Sequence, residues 1–188
     1  EIIVPTISFI AAGSAVVDSG AKLVLCDVDK RSLNATVKTI SEKITRNTKA
    51  IILNHYGGHP CDMDDILNLA RKNNLYIIED SACAVQSFYK GKACGTMGDM
   101  GLWSFDAMKS IVTGDGGMVY LHSNELMEKA QEQCYLGLPA RSTSGVDKSS
   151  EGDDIWWEVQ INRPGRRSIM NNVTAAMGVV QMDRLQEF

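Results

Sequence analysis

Thr48-Lys-Ala-Ile-Ile-Leu-Asn54, Met63-Asp-Asp-Ile-Leu-Asn-Leu-Ala-Arg-Lys72 and Leu75-Tyr-Ile-Ile-Glu79-Asp80 follow one another along the chain, and their order decides the fold. The first and third are short, unbroken apolar runs bounded by polar residues. The second places Ile66, Leu67, Leu69 and Ala70 on one face of a helix. Continuous apolar strands, as opposed to alternating ones, belong to a parallel sheet covered on both faces.

The same rhythm extends outward from this unit. Residues 2–5 read as a strand and 8–18 as a helix with Ser8 as its cap, ended by Ser19-Gly20. Residues 22–28 form a second strand, 33–44 a second helix, 48–54 the third strand, 63–72 the third helix and 75–79 the fourth strand. The fold class that follows is α/β, a three-layer α/β/α arrangement around a mostly parallel mixed sheet. Beyond Glu79 the pattern changes. Residues 91–101 are turn-rich, 102–105 and 118–121 are strand-like, and 124–133 is helical. Residues 141–154, rich in Ser, Gly and charge, read as an exposed loop. Residues 170–185 read as a last helix with Val173, Ala176, Met177 and Val180 at helical spacing. No repeat is visible, and residues 1–188 read as one domain.

Composition narrows the function. With 44% hydrophobic and 22% charged residues the chain can bury a core and is not of the disordered class. A net charge of -4 provides no basic face for nucleic acid, and no apolar run approaches the roughly 20 residues of a membrane helix. Five cysteines without a CxxC pair argue against a disulfide framework or a structural zinc site, so no metal is expected. Reduced thiols fit a cytoplasmic protein. Glu1-Ile-Ile-Val-Pro lacks both an initiator Met and the regions of a signal peptide, so the chain reads as part of a longer one.

The chemistry sits in two segments. From Gly98 a strand-like stretch delivers Ser104, then Lys109 five residues later, then the turn Gly114-Asp-Gly-Gly117. That turn has neither the Walker nor the GxGxxG spacing and reads as a tight return into the sheet. Upstream, Asp80 closes an apolar strand, and ligands of open α/β sheets sit at such ends. An amine able to form a Schiff base, with a carboxylate able to pair with a pyridinium nitrogen, is what pyridoxal phosphate (PLP) chemistry requires. Taken singly, a lysine is more often a solvated charge and a strand-end aspartate a helix cap; jointly they favour the cofactor. Ser104 suits a phosphate contact or a local backbone bond. Phe9, after the first strand, suits stacking on a flat ring or core packing equally. Arg166-Arg167 is a solvated pair or a phosphate contact.

In order and spacing these residues resemble the DegT/StrS-type aminotransferases of nucleotide-linked keto sugars, among the fold-type I PLP enzymes. The likeness runs from Ile3-Val-Pro-Thr-Ile-Ser-Phe9 through Thr48-Lys-Ala-Ile-Ile, Ile78-Glu-Asp80-Ser-Ala, Gly98-Asp-Met-Gly and Ser104 to Lys109. It ends at Met170-Asn-Asn-Val-Thr-Ala-Ala-Met-Gly and Gln181. The resemblance implies a PLP-dependent transferase large domain and catalytic roles for Lys109 (Schiff base, proton transfer) and Asp80 (protonated ring nitrogen). It implies further cofactor contacts from Phe9, Ser104, Cys83 near the ring hydroxyl, and Arg167. It also implies a homodimer with shared active sites, a chain about twice this length with an N-terminal segment and a C-terminal small domain, and an amino group passed from glutamate to a keto sugar in polysaccharide or antibiotic-sugar biosynthesis.

This chain departs from the family pattern at Cys83, where glutamine is common, and at Asp106, where His or Tyr is common. It departs again at Arg167-Ser-Ile-Met170, where Asn-Tyr-Arg-Met is common, and in an insertion through Trp156-Trp157. Three other readings stand beside the aminotransferase: a related PLP-dependent sugar dehydratase, whose lysine is replaced by histidine; transamination of a small non-sugar ketone; and a non-catalytic regulatory or oligomerisation protein.

Overall fold

The two apolar runs that frame the fold pair in parallel in the computed structural model, which describes residues 1–138, 161 and 163–187. Strand β3 (Ala50–Asn54) lies along β4 (Tyr76–Asp80), with Ile51 opposite Ile77 and Asn54 opposite Asp80. Around them the chain divides into two compact units, Glu1–His122 with Asn172–Phe188, and Ser123–Asn171.

In the first unit β1 (Ile2–Pro5), β2 (Leu23–Cys26), β7 (Met100–Ser104) and β8 (Gly117–Leu121) complete a six-stranded sheet. Its order is β2-β1-β3-β4-β7-β8. All neighbours are parallel except β7 and β8, which are antiparallel. A small hairpin, β5 (Phe88–Tyr89) and β6 (Lys92–Ala93), stands apart. The mixed, mostly parallel sheet expected from the sequence is therefore present.

Burial explains the layers. Ile51 and Leu53 of β3 join Ile3, Ile77, Ile40 of α2 (Val37–Ser41), and Met63 and Ile66 of α3 (Met63–Asn73) in one buried cluster. Ile52 points the other way, to Val4 and to Val16 of α1 (Ile10–Asp18). Successive residues of a strand serve opposite faces, and both are covered. Each fully buried aliphatic side chain contributes about 1.5–3 kcal/mol. Helix α3 has Asp64 and Asp65 in its first turn and Arg71 and Lys72 in its last, matching the helix dipole, and Asn74 ends it in the left-handed conformation.

Several boundaries differ from expectation. Ser8 is not the cap of α1: its Oγ donates to the Pro5 carbonyl oxygen (3.2 Å), and Phe9 takes the cap position without a side-chain bond. The helix expected over 33–44 shrinks to Val37–Ser41. Leu33 has φ 58°, Asp29 Oδ1 accepts the N–H groups of Arg31 and Ser32, and Thr36 starts the helix with a capping box to Thr39. In α5 (Asn172–Asp183) the expected apolar face is exposed at Val173, Met177 and Val180. The buried residue there is Gly178, whose lack of a side chain lets the helix approach Thr113; a Cβ would lie 3.2 Å from its Cγ2.

The second unit holds α4 (Asn124–Cys134), a bridge between Tyr135 and Arg167, and an ion pair of Arg163 Nε with Glu132 Oε2 at 3.1 Å. The loop expected over 141–154 and the Trp156-Trp157 segment lie outside the described residues. Among the described residues no helix is long and apolar enough to cross a membrane.

Candidate active site

Parallel β1, β3, β4 and β7 all end at the same edge of the sheet, and Phe9, Asp80, Ser104 and Lys109 lie at or within a few residues of those ends. Phe9 lies four residues beyond β1, is 72% exposed, and keeps extended backbone before α1. Asp80 is the last residue of β4 and Ser104 the last of β7. Carboxyl strand ends are where open α/β sheets hold ligands, because the connecting loops diverge there and leave room.

Asp80 is half-buried. Its Oδ1 accepts the N–H of Ala82 at 3.1 Å, and the Ser81 N–H donates to the Leu102 carbonyl oxygen at 2.9 Å. Ala84 N–H then reaches back to the Ser81 carbonyl oxygen (2.8 Å), closing a turn that leaves Cys83 exposed. Among the described residues no cation pairs with Asp80.

Lys109 comes from the loop between β7 and β8. That loop is pinned by Phe105 N–H to the Gly116 oxygen (3.0 Å), by Thr113 N–H to the Phe105 oxygen (3.0 Å) and by Lys109 N–H to the Asp106 oxygen (3.0 Å). Gly114 and Gly116 take positive φ (82° and 130°), which allows the return into β8 read from the sequence. Lys109 Nζ donates to Cys83 Sγ at 3.4 Å, so the lysine meets the segment that continues from Asp80. Ser104 Oγ accepts the Asp106 N–H at 3.3 Å, holding the first turn of the same loop.

Arg167 belongs to the second unit. It bridges to Tyr135, and its neighbours tie in through Arg166 N–H to the Gln133 oxygen and Ser168 N–H to the Cys134 oxygen, both 2.8 Å. Among the described residues no group of three or more His, Cys, Asp or Glu is placed to hold a metal.

One buried cluster beneath the site was not anticipated as a site feature. Glu79, fully buried, accepts four N–H groups: His55 Nε2 (3.0 Å) and Gly95 (2.8 Å) on Oε2, Met97 and Gly98 (2.6 Å each) on Oε1. Burial pushes its carboxyl up, but the bonds from His55 and the three backbone N–H groups outweigh it and hold the carboxyl below the usual range. His55 Nδ1 accepts the Cys61 N–H at 3.1 Å, which leaves Nε2 as the ring nitrogen that faces Glu79. The available signal was the alternation at the end of β4, which sends Glu79 to the face opposite Asp80.

An open, mostly parallel α/β sheet with an amine, a carboxylate, a hydroxyl and an aromatic ring at the carboxyl ends of its strands is the large-domain architecture of fold-type I transferases. The chain belongs to the DegT/DnrJ/EryC1/StrS aminotransferase family, whose pattern matches residues 1–188. It is 47% identical over 188 residues to dTDP-4-dehydro-2,3,6-trideoxy-D-glucose 4-aminotransferase of Saccharopolyspora spinosa, covering 100% of this chain and 48% of that protein. The crystal structure of the aminotransferase TlmJ from Streptoalloteichus hindustanus superimposes with a TM-score of 0.88 at 45% identity, over 100% of this chain and 47% of that one. The PLP form of the sugar aminotransferase Spr1654, putatively so named, from Streptococcus pneumoniae gives 0.85 at 26% identity, over 99% and 49%. The chain thus spans about half the length of the relatives it matches.

Proposed function

We propose that this chain is the cofactor-binding part of a PLP-dependent aminotransferase that moves an amino group, supplied by glutamate, onto a nucleotide-linked keto sugar. The observation that carries the reading is the placement of Lys109 Nζ 3.4 Å from Cys83 Sγ, three residues beyond Asp80 at the carboxyl edge of the sheet. Family membership and the sugar aminotransferase named at 47% identity support the substrate class.

The residues present fit PLP. A primary amine reaches the strand ends, Asp80 has a carboxylate oxygen left over after Ala82, and an exposed ring follows β1. When bound, the cofactor supplies an electron sink for the carbon next to the transferred nitrogen. Lys109 would provide the amine that anchors it covalently and would hold and return a proton at Nζ. Asp80 would face the ring nitrogen and favour its protonated form, since a half-buried carboxylate favours a cationic partner. Phe9 and the Ser104 hydroxyl would help hold the ring and the phosphate, and Cys83 borders the lysine. Arg167, in the second unit, carries a planar guanidinium suited to bidentate phosphate binding in place of a neutral side chain. We assign the working enzyme to a cytoplasmic homodimer in which both subunits line each site.

The test uses the full-length protein that carries this chain. After incubation with PLP it shows a visible absorbance band that borohydride removes and that Lys109→Ala lacks. Glutamate converts that band to the amine form, and a nucleotide-linked keto sugar restores it. A colourless protein, or a band indifferent to every amino donor, would overturn the proposal.

A further inference from the structure

Glu79 and His55 are fully buried and the proposed chemistry uses neither side chain, yet together they form a buried polar cluster next to the site. Their bonds tie together three pieces of chain that deliver site residues. The His55 N–H donates to the Asp80 carbonyl oxygen at 3.2 Å, while its ring donates to Glu79, so the ends of β3 and β4 are fastened through main chain and side chain at once. Through Gly95, Met97 and Gly98, Glu79 holds the turn that leads into β7. That turn packs on β7 with no slack: a Cβ on Gly95 would lie 2.4 Å from Trp103 Cζ2, and one on Gly101 would lie 1.8 Å from the Gly95 oxygen. Strand β7 in turn presents Ser104 and leads to Lys109.

Each Glu79 carboxylate oxygen is met by two N–H groups, matching its two lone pairs, and His55 cannot turn over without losing Cys61. Such a network has one low-energy arrangement, and a low-dielectric surrounding makes any unmatched member costly. Neighbouring residues of a strand point to opposite faces, so fixing Glu79 below the sheet end fixes the aim of Asp80 above it.

Building on the aminotransferase reading, we propose that His55 and Glu79 are positioning residues that set Asp80 for the ring nitrogen of the cofactor, acting through Asp80 and not on the cofactor directly. Glu79→Gln replaces one acceptor oxygen with an amide that meets the N–H groups already there, so the strand end shifts while its volume is kept.

The experiment measures PLP affinity of the full-length apoprotein by fluorescence titration in a double-mutant cycle. Glu79→Gln weakens PLP about tenfold in the wild-type background and less than about twofold in the Asp80→Asn background, because the effect is routed through Asp80. Ile40→Ala, which opens a cavity in the core away from the strand ends, serves as a control that lowers the thermal midpoint without this loss of affinity. Equal losses in both backgrounds, unchanged affinity in folded Glu79→Gln, or an equal loss in Ile40→Ala would each overturn the proposal. Should Glu79→Gln not fold, His55→Gln carries the same comparison. A wild-type protein that does not bind PLP would overturn this proposal and the aminotransferase reading together, whereas normal wild-type binding with an additive cycle removes only the positioning role.

Discussion

Lys109 Nζ lies 3.4 Å from Cys83 Sγ, joining the loop after β7 to the turn after β4. The contact is weak in itself, since sulfur is a poor hydrogen-bond acceptor. Its value is geometric, because it places the amine beside the segment that begins at Asp80. Lys109→Ala in the full-length protein is therefore expected to lower glutamate-dependent transamination by at least about 10²–10⁴-fold, the usual contribution of a proton-transferring group. Cys83→Ala should change it by less than about tenfold. Single-turnover kinetics with glutamate separate the two, and a Cys83 variant as impaired as the lysine variant would contradict this ranking.

The close approach of Gly101 to Gly95 sets a second expectation. A methyl group at position 101 would overlap the Gly95 main-chain oxygen at 1.8 Å, and backbone cannot rotate aside as a side chain can. Gly101→Ala should destabilise the protein by about 1–3 kcal/mol or more. Gly13→Ala meets only Leu23 Cδ2 at 3.5 Å, an ordinary contact, and should be neutral or stabilising in its helix. Urea melts of the two variants decide the matter, and similar midpoints would show that the turn before β7 yields easily.

These positions also show what the sequence could and could not tell. The apolar runs ending at Asn54 and Asp80 carried the parallel sheet, because strands buried on both faces leave a continuous apolar record. Asp80, Ser104 and Lys109 could be picked out as candidates because they stand at or just beyond the ends of such runs. Glu79 and His55 were not read as a site feature, because a buried charge is recognisable only from its partners, and these come from residues 16 to 24 positions away. The second helix was overextended because the positive φ of Leu33 and the Asp29 turn interrupt an otherwise helical pattern. The exposed face of α5 escaped because spacing reveals a stripe but not what lies opposite it.

Ser81 provides a test of the opposite sign. Its side chain is fully buried, and its Oγ has no hydrogen-bond partner among the described residues. Removing an unsatisfied hydroxyl relieves a desolvation cost, so Ser81→Ala should be neutral or stabilising by up to about 1 kcal/mol. A loss of more than that in chemical denaturation would show that the hydroxyl is bonded in solution.

Acid stability should report on Glu79. Its folded carboxyl is held below its ordinary value of 4.5: burial raises it, but His55 and the N–H groups of Gly98, Gly95 and Met97 outweigh that. The unfolded chain therefore binds the proton more readily than the folded one. The stability this contributes is whole above about pH 4.5 and is lost progressively as pH falls toward the lowered folded value. Unfolding free energies measured from pH 7 down through 4 should fall less steeply for Glu79→Gln than for wild type. Equal slopes in that window would mean that other carboxylates govern the acid limb.

Thiol chemistry gives the last expectation, since the five cysteines occupy unlike surroundings. Burial pushes the Cys26 and Cys94 thiols up to about 11 and the Cys61 thiol up to about 12. The reactive species is the thiolate, so these three should resist alkylation until the protein unfolds. Cys134 is partly covered, and Cys83 is exposed with the Lys109 ammonium beside it. Iodoacetamide should therefore modify Cys83 first in the native apoprotein, as read by peptide mass mapping, and PLP should slow that modification by occupying Lys109 and crowding the thiol. Protection should vanish in Lys109→Ala, where the covalent anchor is gone. If PLP left the rate at Cys83 unchanged in the wild-type protein, the lysine and the thiol could not border the same cofactor.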